Sequence, residues 1–73
     1  MAGSRSEEVY QFVVEFRAQH RVSPTMREIA RGVGLSSTSV VDYHVQRLIA
    51  DGRLEQTLPG RSRALLPTEV RHV

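Results

Sequence analysis

No cysteine occurs among the 73 residues, so neither a disulfide framework nor a thiolate metal site holds this chain together. Lysine is absent too: all ten basic residues are arginine, which excludes any mechanism that needs a catalytic amine. Apolar runs are short. None approaches the roughly 18 residues of a membrane span, and the opening MAGSRSEEV turns acidic where a signal peptide would turn apolar. The expected compartment is the cytoplasm, with no membrane as partner. His20, His44 and His72 lie far apart, none in ligand spacing with another histidine or with glutamate, so no metal is expected. The length leaves room for one domain with a modest core, too little for a cofactor fold of its own, and no cofactor is expected.

What is present is an uneven charge. The net value of +2 divides into −1 over residues 1–20, +1 over 21–51 and +2 over 52–73, so basicity rises toward the C-terminal third. That gradient suits a polyanion touched by one face, and equally an ordinary solvated surface.

Three stretches carry a helical period. In SEEVYQFVVEFRAQH, Val9, Phe12, Val13 and Phe16 recur at i, i+3, i+4 and i+7, with Ser6 placed as N-cap and Glu7 and Glu8 in the first turn, where the helix dipole favours them. The pattern breaks at Ser23-Pro24 and restarts. Thr25 followed by Glu28 forms a capping box, Met26, Ile29, Ala30 and Val33 make the apolar stripe of a helix of about eight residues, and Gly34 suits its left-handed end. Arg27 and Arg31 lie one turn apart on its outward side. After the apolar staple Leu35, a third helix opens near Ser37, with Val41, Val45, Leu48 and the marginal Ile49 inward, and closes at Asp51-Gly52. At 100° per residue, Ser39, Val40, Tyr43, Gln46 and Arg47 fall on its far side. His44 falls near the edge of the buried face, where a packed, hydrogen-bonded histidine is expected.

Past Gly52 the period becomes two. Leu54, Gln56 and Leu58 alternate with Glu55 and Thr57, Pro59-Gly60 signals a turn, and residues 62–66 return before Pro67 stops the strand. Arg61 and Arg63 sit at the tip and return of this hairpin, whose apolar side should lie on the helices because an isolated hairpin is marginal. A short helix, a glycine turn, an outward helix and a basic hairpin predict a mainly α fold with a small β-hairpin, a three-helix winged helix-turn-helix. The expected organisation is a disordered N-terminus over 1–5, the domain over 6–67 and a flexible tail over 68–73.

The stretch SPTMREIARGVGLSSTSVVDYHVQRLIADGRLEQTLPGRSRAL resembles the amino-terminal DNA-binding domain of the LexA repressor family. The residues that carry the resemblance are Pro24, Thr25, Glu28, Ile29, Ala30, Val33, Gly34, Leu35, Ser37, His44, Val45, Leu48 and Gly52. It implies base contacts at Ser37, Ser39, Val40, Asp42 and Tyr43, of which the helical-face reading independently gives Ser39, Val40 and Tyr43, adding Arg47. Tyr43 is bulky where family members often carry a small or polar residue, a departure that bears on the operator sequence. The family's self-cleaving domain, with its Ser-Lys pair, has no counterpart here; in a complete chain, switching by autoproteolysis would be excluded.

The small residues opening the third helix let its N-terminal end approach base edges in the major groove, where hydroxyls hydrogen-bond and Val40 methyls meet a thymine methyl. Tyr43 would stack on a sugar or donate to a phosphate. Asp42 would accept from a cytosine amino group or orient a nearby arginine. Arg27, Arg31 and Arg47 would hold the backbone, and Arg61 and Arg63 a phosphate or adjacent minor groove. GLSSTSV lacks any triad-like spacing, so no catalytic residue and no enzyme activity are expected. The expected function is a sequence-specific regulator binding double-stranded DNA, a LexA-like repressor without the protease domain. It would pair as a dimer on a palindromic operator, be monomeric in solution, and act in a bacterial or phage-encoded setting on the nucleoid. The alternative is a winged-helix protein-interaction module.

Overall fold

The computed structural model describes residues 5–56 and 65–67. Three helices, α1 (Arg5–His20), α2 (Met26–Val33) and α3 (Thr38–Ala50), are followed by the short strands β1 (Leu54–Gln56) and β2 (Leu65–Pro67). The strands pair antiparallel, with Leu54 opposite Pro67, Glu55 opposite Leu66 and Gln56 opposite Leu65. This is the expected mainly α architecture with a hairpin, a winged helix-turn-helix.

Each element contributes aliphatic side chains to one core. Val9 and Val13 of α1, Ile29 and Ala30 of α2, Val41, Val45 and Leu48 of α3, and Leu54 and Leu65 of the strands are all buried together. The hairpin's apolar side therefore lies on the helices, as an otherwise marginal two-stranded sheet requires. Phe12 stays at the margin of this core and packs over Gly32. Any Cβ at Gly32 would collide with the Phe12 ring, so this exposed helical position tolerates glycine for packing rather than for its backbone.

Local chemistry sets the helix ends. The capping box at Thr25 is complete: the Glu28 amide donates to the Thr25 hydroxyl at 3.0 Å, and the Thr25 amide donates to the Glu28 carboxylate at 2.9 Å. Gly34 adopts φ 78°, and its amide and that of Leu35 both donate to the Ala30 carbonyl, which turns the chain sharply out of α2. Ser37 caps α3, accepting from the Ser39 amide at 3.0 Å. Gly52, at φ 77°, closes it.

Three expectations are corrected. Ser6 does not cap α1: the helix begins at Arg5, and the Ser6 hydroxyl is drawn across to His44 on α3 at 2.8 Å. Arg5 accordingly belongs to the folded unit, donating to the Val33 carbonyl at 2.7 Å and to Glu8 at 2.8 Å. Pro67 does not stop β2 but lies in it, opposite Leu54. A two-stranded sheet has only edges, where a missing N–H is tolerated. Residues 1–4, the hairpin tip over 57–64, with Arg61 and Arg63, and the tail over 68–73 lie outside the described residues.

Candidate nucleic-acid interface

The outward face of α3 is built by its own burial pattern. Because Val41, Val45 and Leu48 are fixed in the core, Ser39, Val40, Asp42, Tyr43, Gln46 and Arg47 are all turned outward and exposed. Val40 and Tyr43 keep 40% and 57% of their surface in water, two of the three large hydrophobic side chains left open among the described residues. Both stand beside Ser39 on the helix that follows the Gly34 turn. Ser37 is half-buried, its hydroxyl committed to the cap but still on the rim.

At the helix-turn-helix corner, Arg27 and Arg31 of α2 face the start of α3 across an open hollow of about 500 Å³, further lined by Leu35, Ser36, Ser37 and Thr38. Both arginines are exposed, and among the described residues neither takes part in an ion pair. Two guanidinium groups beside a helix N-terminus place positive charge and outward-directed amides on one edge of the α3 face. Ser36 and Thr38 were not singled out from the sequence; their place beside the cap residue was the available signal.

At the other end of α3, Arg47 donates to the Tyr43 hydroxyl at 3.4 Å, with its guanidinium 5.9 Å from the ring centroid. The hydroxyl, and after it Asp51, hold the Arg47 guanidinium still more firmly protonated than usual. Tyr43 also meets His44 edge-on, ring centroids 5.2 Å apart at 71°. His44 is half-buried and hydrogen-bonded, as its position at the edge of the buried face suggests. No ion pair among the described residues involves Asp42, which leaves its carboxylate to face outward. No group of three or more His, Asp or Glu gathers as a metal cage among the described residues.

Of the ten residues expected at a DNA surface, eight are described: Arg27, Arg31 and Ser37 line the corner hollow, and Ser39, Val40, Asp42, Tyr43 and Arg47 are exposed along α3. Arg61 and Arg63 lie outside the described residues. Gln46, exposed on the same side of α3, belongs with this set although it was not among the ten.

Residues 3–64 match the family model of the LexA DNA binding domain. The chain belongs to the LexA DNA-binding domain family. Full-length relatives agree with that placement. The LexA repressor of Leuconostoc mesenteroides is 35% identical over 68 residues, covering 92% of this chain and 32% of that protein. The LexA repressor of Limosilactobacillus reuteri is 40% identical over 65 residues, 89% of this chain and 31% of that protein. That of Limosilactobacillus fermentum reaches 52% identity over 46 residues, 63% of this chain and 22% of that protein. The chain spans about a third of the length of the curated relatives it matches. In this LexA-type domain no described helix is long and apolar enough to cross a membrane.

Proposed function

We propose that this LexA-type domain is a sequence-specific regulator of transcription that reads double-stranded DNA through α3. The observation that carries the reading is the exposed row of Ser39, Val40 and Tyr43 on a helix held outward by the Gly34 turn. Ser37, Ser39 and Val40 enter the major groove, where small side chains allow close approach. Asp42 accepts from a cytosine amino group, Tyr43 meets a base edge beside it, and Arg47 reaches the sugar-phosphate edge. Arg27 and Arg31 hold a phosphate at the corner hollow. These contacts position and read one half-site, so two copies pair on a palindromic operator while remaining separate in solution. The setting is the bacterial cytoplasm, and the effect on a bound promoter is repression.

Selection from a randomised duplex library, followed by titration of the enriched duplex, tests this reading. The expected result is an enriched inverted repeat. With two phosphates neutralised per copy, one by Arg27 and Arg31 and one by Arg47, each copy's binding should weaken about 12-fold between about 50 and 200 mM salt. Ser39→Ala should relax the base preference, and Val40→Asp should abolish specific binding. An unchanged preference in both variants would overturn the placement of the reading face. A pool without enrichment, with binding indifferent to salt, would favour a protein partner.

A further inference from the structure

Tyr43 is the largest side chain on the reading face and, at 57% exposure, the most exposed large hydrophobic one among the described residues. Its hydroxyl and ring are nonetheless engaged on two sides. Arg47, one turn on, donates to the hydroxyl, and the neighbouring His44 ring meets Tyr43 edge-on. His44 is itself fixed from outside its own helix: Nδ1 shares a hydrogen bond of 2.8 Å with Ser6 in the first turn of α1, 38 residues away. Ser6, His44, Tyr43 and Arg47 line one hollow of about 300 Å³ between the start of α1 and the second half of α3.

The contacts form a chain from scaffold to surface. Ser6 sits on a helix whose Val9 and Val13 are fully buried, so its position is tied to the core. His44 transmits that position to the Tyr43 ring, and Arg47 closes the other side. We propose that His44, tethered by Ser6, is a positioning residue that fixes the Tyr43 ring on the reading face. Discrimination at the base pairs that Tyr43 meets then depends on two side chains that touch no DNA. The proposal rests on the reading of α3 given above. A tyrosine ordered before binding loses less side-chain entropy on contact and samples fewer orientations that would accept a wrong base.

The test uses the full chain and its enriched duplex, together with duplexes carrying each single base-pair substitution. Wild type, Tyr43→Ala, Ser6→Ala, His44→Ala, His44→Asn and the double variants Tyr43→Ala/His44→Ala and Tyr43→Ala/Ser6→Ala are titrated on all of them. Tyr43→Ala should reduce discrimination about tenfold at one or two positions of each half-site. His44→Ala and Ser6→Ala should each reduce it about threefold at those same positions, leave the others unchanged, and add nothing in the Tyr43→Ala background. His44→Asn, which can still bond Ser6 but presents no ring, should behave as His44→Ala does. Ser6→Ala removes one hydroxyl from a half-buried first turn and keeps the test decisive if the His44 variants fold poorly.

The proposal is overturned if the Ser6 and His44 variants lower the melting temperature while keeping full discrimination at the Tyr43-dependent positions, or if they flatten every position equally. It is overturned separately from the DNA reading if wild type selects an operator and Tyr43→Ala leaves its profile intact. Wild type that selects nothing would remove both.

Discussion

At the end of α1, Arg21 holds the left-handed region, φ 64°, with its amide donating to the Arg17 carbonyl at 2.9 Å. It is the only non-glycine residue with positive φ among the described residues. An L side chain pays about 1–2 kcal/mol for that conformation, and glycine pays instead a smaller loss of freedom on folding. Arg21→Gly should therefore stabilise the fold by about 0.5–1 kcal/mol, which in a domain of this size raises Tm by roughly 2–8 °C. Thermal unfolding followed by circular dichroism reads this directly, and a lowered Tm would show that the arginine side chain contributes more than its backbone costs. Nothing in the sequence marks this turn. A glycine would have, whereas Arg21 is indistinguishable from any exposed arginine, and the visible break signal, Ser23-Pro24, lies downstream of the true helix end. Ser6 was misread for a related reason: serine near a helix start is a cap by local rules, but its partner His44 is 38 residues away.

Elements whose ends depend on neighbours in sequence were legible. The Thr25–Glu28 box, the Gly34 reversal and the Ser37 cap all close within a few residues, so composition and spacing suffice to place α2 and the start of α3. The exposed face of α3 was legible for the same reason, since burying Val41, Val45 and Leu48 dictates which side chains face out. The hairpin was legible as an alternation, but not in its register, because pairing is decided by the strands jointly against the core. Pro67 shows the difference: it ends a strand by local rule, yet lies opposite Leu54 in the sheet. The two caps also separate stability from recognition. Thr25→Ala and Ser37→Ala should each cost about 1 kcal/mol by removing a partner of a helix N-terminal amide. Well below the melting temperature, Thr25→Ala should keep its affinity for the selected duplex, while Ser37→Ala should lose affinity as well, since only Ser37 lies on the proposed reading face. Denaturant midpoints and duplex titration measure the two effects, and equal affinities would remove Ser37 from the contact set.

For the molecule as a whole, α1 is the element to which the others are tied by polar contacts that cross the fold. Arg5 reaches the last turn of α2, Ser6 reaches α3, and Glu7 accepts from Arg53, just before β1, at 2.6 and 3.4 Å. The loop after α1 continues the pattern, with the buried Ser23 hydroxyl donating to the Leu65 carbonyl of β2 and accepting from Arg17. Arg53 also lies over the Tyr10 ring, its guanidinium carbon 4.1 Å from the centroid, so one guanidinium joins two side chains of α1 to the root of the hairpin. Arg53 first, and Gln11 second, hold the Glu7 carboxyl below the ordinary carboxylate range. A carboxyl lowered on folding stabilises the native state above its unfolded value, about 4.3, and that stabilisation is lost as pH falls through the lowered native value. Glu7→Gln should therefore melt below wild type at pH 7, with the gap closing as pH falls below about 4 and through the lowered native value, where wild-type Glu7 also becomes protonated. Added salt should narrow the gap at neutral pH, because the pair is only half-buried. A gap that stays constant across that pH range would mean that α1 and the hairpin root are joined by the packing of Arg53 on Tyr10, with the charge on Glu7 contributing nothing.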